Sequence, residues 1–414
     1  MKFIHTGDWH LGQLFYEYDR SYEHLSFLTF LEGVIRDRQT DVLLISGDVF
    51  DQSNPSAASV RMFYTFLNKA VKANPEIQIV IIAGNHDSPS RLESPKPLLE
   101  SSNIHIVGLV EKDGEGNIDY EKLIIPLKGN NGETEVFCLA VPFLRMGEYP
   151  VITECSDPYA EGVSEVYKKT YELVVGKKHA DQSVVAMGHL FAAGAQQSSD
   201  DDQERPILGN IECVSAAAFP TGLAYVALGH IHRAQVIGGH GHIRYCGTPV
   251  PMSFTESNYR HQVLSFEINN RTLENLAPID VPVSIPLLRI PAAHQPFHEV
   301  ISLINGSPDS DEDLVNAPYL EVRVLLEGPE PGLRYKIENA LKGKYARLAK
   351  IDIKYLQAGI EAKTQELAGK KLEDIRPVEV FTRVYEAKYH SPVPEILAGL
   401  FNEVLIEASS EEEK

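Results

Sequence analysis

Cysteine is scarce and scattered. Cys138, Cys155, Cys213 and Cys246 lie far apart with no CxxC pair, and Cys138 and Cys246 fall inside apolar, strand-like stretches. This excludes a thiolate zinc site or a disulfide framework as the organising element and predicts reduced, mostly buried thiols. No apolar run approaches the ~18 residues that suggest a membrane span. Met1 leads straight into Lys2-Phe3-Ile4, without the charged, apolar and small-residue regions of a secretory signal, so a cytoplasmic protein without a membrane is expected. There is no internal repeat and no glycine-rich P-loop, so any ATP hydrolysis must come from another chain. A basic surplus is missing too: the formal charge is -20. That argues against a nucleic-acid partner, but net charge averages over the whole surface. Part of the excess lies in Asp200-Asp201-Asp202 and Glu411-Glu412-Glu413, and metal-binding carboxylates are counted as uncompensated.

At 414 residues the chain exceeds what one hydrophobic core usually fills, so one large domain with smaller appendages is expected. Residues 41–46 and 77–82 read as strands separated by a helix over 57–71, and further apolar runs follow at 134–141, 183–187, 223–228, 243–246 and 262–268. A helical pattern lies near 165–175. Strands buried on both faces read as continuous apolar runs, which favours an α/β sandwich of sheets flanked by helices. Pro278, Pro282, Pro286 and Pro291 punctuate the next stretch and mark a boundary. The first domain is read as 1–280. A small α+β domain of alternating strands and helices then occupies 285–356, followed by a polar linker over 357–376. A helical region over 377–408 begins at Pro377, with Phe381, Val384, Tyr385 and Lys388 at helical spacing, then Leu397, Leu400, Phe401 and Val404 on a second face. Such helices serve either as a dock for a partner or as a strut. An acidic tail closes the chain at 409–414.

The chemistry-bearing residues fall where apolar runs end. Asp8 and His10 of GDWH follow Phe3-Ile4, Asp48 of GDVFD follows 42–46, and Asn85 of GNHD follows 77–83. His189 of a Gly-His pair follows 184–187, and His230 and His232 of GHIH follow 224–228. Carboxyl ends of strands form the ligand crevice of open α/β sheets, so scattered residues converge there. Two adjacent divalent cations need a bridging anion, because their charges repel strongly at about 3.5–4 Å. Asp48 is the natural bridge; Asp8, His10 and His232 complete one site, and Asn85, His189 and His230 the other. Mixed oxygen and imidazole donors suit two divalent ions, with Mn²⁺ preferred over Mg²⁺, Fe²⁺ or Zn²⁺. Such a pair would clamp a phosphate and activate water for in-line attack at phosphorus. His86 is the candidate general acid, with the Asp51 carboxylate as its support. A lone Gly-Asp or Gly-His is usually a turn; the ordered set of five motifs is what points to metal.

GDWHLG, GDVFD, GNHD, GH and GHIH together resemble the calcineurin-like metallophosphoesterase superfamily. Within it the chain is similar to SbcD-type nuclease subunits, through GDWHLGQLFY, GNHDSPSRLE, DDQERPILGN and Tyr245-Cys246-Gly247-Thr248-Pro249. The resemblance covers essentially the whole chain. It implies a four-layer αββα sandwich with a dinuclear centre, a capping domain and C-terminal helices. It also implies the same ligand set, and the GNHD histidine as acid. In activity it implies Mn²⁺-dependent endonuclease and 3′–5′ exonuclease cutting of DNA, including hairpin and blocked ends, in repair and recombination. In assembly it implies dimerisation through the nuclease domain and an SbcC-type coiled-coil ATPase docked on the C-terminal helices.

One further feature comes from the residues alone. Arg334, Lys336, Lys342, Lys344, Arg347, Lys350 and Lys354 crowd the second half of the small domain against only Glu338 and Asp352, a candidate DNA-contacting face. Two other functions use the same motifs: a stand-alone phosphodiesterase or phosphatase acting on small molecules or phosphoproteins, and a metal-bearing scaffold that tethers DNA ends. The small domain and helical tail weigh against the first, and an intact His86 against the second.

Overall fold

The computed structural model describes residues 1–152, 155–196 and 213–356, and in the C-terminal region residues 381, 382, 385, 389, 391–394, 397–401 and 404. The DDQERPILGN segment, the linker over 357–376, Pro377, Val384, Lys388 and the acidic tail lie outside the described residues. The chain divides into two compact units, Met1–Ser284 and Ile285–Lys414.

The first unit is built on two six-stranded sheets. One runs, in spatial order, Thr272–Asp280, Gln262–Asn269, Lys2–Thr6, Val42–Ser46, Gln78–Ile82 and Ile104–Val107. Its last four strands are mutually parallel. The other runs Gln235–Ile237, His240–Tyr245, Tyr225–Gly229, Ser183–His189, Thr134–Ala140 and Ile124–Lys128. Its central four strands are parallel.

Side-chain alternation builds the layers. Leu43, Ile45, Ile79 and Ile81 pack against Phe27, Leu31 and Ile35 of helix Ser21–Arg38 and Phe63, Phe66 and Leu67 of helix Ala57–Ala73. Their neighbours Val42, Leu44, Val80 and Ile82 turn the other way, into a core shared with the second sheet. Val163, Val166, Tyr167 and Val174 of helix Pro158–Lys177 complete that core. The order is therefore helix, sheet, sheet, helix. Both faces of Val42–Ser46 and Gln78–Ile82 are covered, so every residue in them is buried, and each large apolar side chain stabilises the layer by about 1.5–3 kcal/mol. Helix starts follow from local chemistry: Ser56 accepts from the Ser59 amide, and Asp157, just before Pro158, accepts from the amides of Tyr159 and Ala160. Between the sheets, the buried His5 bridges Ser46 Oγ and the Tyr225 hydroxyl, both at 3.0 Å.

The second unit holds a three-stranded parallel sheet in the order Leu287–Pro296, Tyr319–Leu326, Arg347–Tyr355. Helices Phe297–Asn305 and Leu333–Ala340 cover one face through Val300, Ile304, Leu320, Val322, Val324 and Ile337. In the C-terminal region the rings of Phe381 and Phe401 stack 4.1 Å apart.

Several elements differ from the sequence reading. Helix Ser21–Arg38 and the strands Ile104–Val107, Ile124–Lys128, Gln235–Ile237 and Thr272–Asp280 were not expected. The prolines expected to punctuate a boundary include Pro278, within Thr272–Asp280, and Pro291, within Leu287–Pro296. Both strands are sheet edges, where a residue lacking an N–H donor is tolerated. Among the described residues no helix is long and apolar enough to cross a membrane.

Candidate metal centre

Five strand ends meet at one side of the paired sheets. Asp8 and His10 follow Lys2–Thr6, Asp48 and Asp51 follow Val42–Ser46, and Asn85 and His86 follow Gln78–Ile82. From the second sheet, His189 closes Ser183–His189, while His230 and His232 follow Tyr225–Gly229. The turns that carry them are strained. Asp8, His10, Asp48 and His230 have φ of 52°, 46°, 48° and 99°, a region where non-glycine residues cost of order 1–3 kcal/mol each. Bonding between loops holds them there: the amides of Asp8, His10 and Leu11 donate to the carbonyls of Gly47, Asp48 and Val49 at 2.9–3.0 Å. The loops approach so closely that a Cβ on Gly84 would stand 2.0 Å from Asp48 Oδ1, and one on Gly229 1.9 Å from the Ser46 carbonyl oxygen.

Most functional side chains follow one rule: one polar atom is tied to another loop and the other is left at the centre. Asp8 Oδ1 accepts from the His230 amide at 2.8 Å, and Asp48 Oδ1 accepts from the His86 amide at 2.9 Å. His189 Nδ1 donates to the Ser46 carbonyl and His232 Nδ1 to Glu256, each at 2.9 Å. His86 Nδ1 donates to the Asp51 carbonyl at 2.9 Å. The remaining atoms converge. Asp8, Asp48 and His189 each place a ligand atom within 4.8 Å of the others, as do His10, Asp48 and His86, so Asp48 belongs to both groups. Asn85 Oδ1 lies 2.9 Å from His189 Nε2 and 3.1 Å from His230 Nδ1, and the rings of His10 and His232 are 5.3 Å apart. Asp8 Oδ2, His10 Nε2 and Asp48 Oδ2 are buried without a hydrogen-bond partner. Orphaned buried polar atoms cost about 1–3 kcal/mol each, more when charged; divalent cations bound among them would remove that cost, so the residues fit a metal pair.

The electrostatics agree. Burial raises the Asp8 carboxyl, and Asp48 adds to this; His189, His232 and the His230 amide oppose it, leaving it at about 6. Burial alone would lower His189, but Asp48, Asp8 and the Ser46 carbonyl outweigh it and raise its pKa to about 9. Burial likewise opposes ionisation of Asp48, yet His189, His10 and His86 hold it well below the usual carboxylate range.

The structure alters two expectations. Asp51 reaches His86 through its main-chain carbonyl, while its carboxylate faces His10 Nδ1 at 3.5 Å. The residues of the basic run differ in exposure and pairing. Arg347 is buried, donating to the Ala317 carbonyl with its guanidinium 4.0 Å from the Tyr319 ring centroid. Lys344 binds Asp309 and the Asn305 and Ser307 carbonyls. Arg334 pairs with Glu338, Lys336 with Glu330 and Lys350 with the buried Glu321. Strand alternation turns Arg347 inward, a direction invisible to a count of charges; Arg334, Lys336, Lys342 and Lys354 are exposed, the first two within surface ion pairs.

Two buried carboxylates escaped the sequence reading. Glu256, fully buried, orients His232 and accepts from the Met252 amide at 2.8 Å. Asp87 clamps two loops by accepting from the amides of Gly84, Val49 and Phe50 at 2.9–3.2 Å. Asp87 ends the GNHD motif and was legible there as a turn acceptor; Glu256 stands in a 3₁₀ turn with no motif around it.

Carboxylate partners of metal-ligating histidines are worth about 10–100-fold in affinity. Glu256→Ala should weaken metal binding by that factor in calorimetric titration; unchanged affinity would show that Glu256 does not orient His232 for the metal. Because His189 is protonated below about 9 in the metal-free protein, a cation must displace that proton. Metal affinity should therefore rise with pH up to about 9 and then level off, with proton release visible as a buffer-dependent binding heat. An affinity flat across that range would contradict the charge arrangement.

Residues 1–234 match the family model described as calcineurin-like phosphoesterase, and residues 283–389 match that described as type 5 capsule protein repressor C-terminal domain. Curated relatives include the SbcD subunit of the SbcCD nuclease of Rhodobacter capsulatus, 34% identical over 358 residues, covering 85% of this chain and 87% of that one. The SbcD subunit of Escherichia coli K12 is 32% identical, covering 69% of this chain and 70% of its own. That of Bacillus subtilis is 33% identical over 64% of this chain and 65% of its own. With the family's fold and a convergent set of metal-ligand residues, the chain belongs to the calcineurin-like phosphoesterases, metal-dependent phosphodiester hydrolases, within the group of SbcD nuclease subunits.

Proposed function

We propose that the chain is the nuclease subunit of an SbcCD-type complex, cutting DNA as a 3′–5′ exonuclease and an endonuclease on hairpin or blocked ends, with a pair of Mn²⁺ ions in the cytoplasm. The observation that carries this reading is the convergence of the buried Asp8 Oδ2, His10 Nε2 and Asp48 Oδ2, none of them hydrogen-bonded, with Asp48 Oδ2 3.3 Å from His189 Nε2 and 3.7 Å from His10 Nε2, in a chain whose curated relatives are nuclease subunits. When bound, such a metal pair supplies Lewis acidity and an activated water for attack at phosphorus.

The protein's own residues do the rest. Asp48 lies within 4.8 Å of ligand atoms of both the Asp8–His189 pair and the His10–His86 pair and would bridge two ions; Asp8, His10 and His232 would hold one, and Asn85, His189 and His230 the other. His86 protonates the leaving oxygen. Its Nδ1–H is fixed on the Asp51 carbonyl, leaving Nε2 for the proton transfer, a role worth ~10²–10⁴-fold in rate.

The appendages fit a complex better than a stand-alone phosphoesterase. Leu397, Leu400 and Val404 are 40%, 54% and 60% exposed at helical spacing, supporting docking on the coiled coil of an SbcC-type ATPase. Arg334, Lys336, Lys342 and Lys354, all exposed, are the cap residues available for DNA phosphates. An apolar groove between helices Ser21–Arg38 and Ala57–Ala73, lined by Leu25, Leu28, Met62 and Phe66, supports a homodimer through the nuclease unit.

The test is Mn²⁺-dependent cleavage of hairpin and linear duplex DNA, with and without the ATPase partner. Wild type should cut both, Asp48→Ala or a chelator should abolish cutting, and His86→Gln should slow it by ~10²–10⁴-fold. Hydrolysis of small phosphodiesters alone, even with the partner present, would contradict the DNA reading.

A further inference from the structure

The segment 141–148, which the sequence reading did not single out, lies across the outside of the GNHD loop. The Phe143 amide donates to the Ala83 carbonyl at 2.9 Å, and Arg145 and Glu148 lock a turn by exchanging bonds of 2.7 and 2.9 Å. From this turn the Arg145 guanidinium reaches back. Its Nη2 donates to the carbonyls of Gly84 and Asp87 at 3.3 and 3.4 Å, the two residues that flank Asn85-His86. The guanidinium also lies 5.3 Å from the Phe143 ring centroid. Nη1 is buried without a hydrogen-bond partner among the described residues. A half-buried cation with a donor left unsatisfied is costly, and among the described residues its guanidinium donates to those two carbonyls.

We infer that Arg145 is a positioning residue for the acid, gripping the main chain on both sides of His86 and so fixing Nε2 relative to the leaving oxygen. The effect falls on His86 more than on Asn85. Asn85 Oδ1 is already held against His189 and His230, whereas half-buried His86 is held, among the described residues, by its own amide to Asp48, by Nδ1 to the Asp51 carbonyl and by an edge contact with the His10 ring. Arginine suits the task because one nitrogen, Nη2, meets both carbonyls while the planar guanidinium packs over the Phe143 ring. Displacement of a catalytic group by about 1 Å costs ~10²-fold. This inference rests on His86 being the acid, and the test separates the two.

The measured quantity is the ratio of two rates in the Mn²⁺-loaded full chain: cleavage of DNA, whose alkoxide leaving group needs a proton, and hydrolysis of bis(p-nitrophenyl) phosphate, whose leaving group departs without one. His86→Gln should lower this ratio by ~10²-fold or more. Arg145→Ala should lower it by about 10²-fold through kcat, with KM for DNA kept, and Arg145→Lys should fall between. In the metal-free protein, amide hydrogen exchange of segment 84–87 should quicken in Arg145→Ala. If His86→Gln shifts the ratio but both Arg145 variants leave it at the wild-type value, the positioning role is overturned while the acid stands. If His86→Gln leaves the ratio unmoved, the acid assignment falls, and the inference with it.

Discussion

The centre depends on a division of labour within each functional side chain. A carboxylate or imidazole has two polar atoms, and here one is consumed in a bond to a neighbouring loop. Asp8 holds the His230 amide, Asp48 the His86 amide, and His189 the Ser46 carbonyl. The remaining atoms are thereby aimed at one volume with little rotamer freedom, which is the preorganisation that metal and transition-state binding require. The same bonds join loops from both sheets, so ligand placement and sheet packing are one structural problem. This explains why the strained turns at Asp8, His10, Asp48 and His230 persist: adjacent main chains overdetermine them.

Function then follows from what is left unsatisfied. A buried region with two carboxylates and several imidazoles is unstable as an isolated set of charges. The metal-free protein compensates by keeping His189 protonated, and cations would compensate more completely. Asp48, present in both ligand groups, is the residue through which two ions would share charge. His86 stands beside it with one nitrogen tied down and one available.

Much of this was legible in the sequence, and for a physical reason. Ligands at strand ends sit next to continuous apolar runs and tight-turn glycines, so Asp8, His10, Asp48, Asn85, His189, His230 and His232 were marked by local pattern. The layers were legible because Val42–Ser46 and Gln78–Ile82 are apolar on both faces. What was not legible depends on direction and distance. Glu256 reaches His232 from 24 residues away, and Arg145 reaches Gly84 across 61; neither has a local signature. Asp51 was identified beside the acid, but whether its carbonyl or its carboxylate faces His86 is again a matter of direction. Within the basic run, strand alternation is what a charge count misses: Arg347 is buried and Lys344 caps carbonyls of its own unit, while Arg334, Lys336, Lys342 and Lys354 are exposed.

Everything proposed for the centre turns on Asp48 as a bridge between two ions, and electron paramagnetic resonance of the Mn²⁺-loaded protein tests that bridge most directly. At saturating Mn²⁺ a bridging Asp48 predicts an exchange-coupled two-ion spectrum, replaced in Asp48→Ala by an uncoupled signal from no more than one ion. An uncoupled single-ion spectrum in the wild type, or a coupled spectrum that survives loss of Asp48, would contradict it.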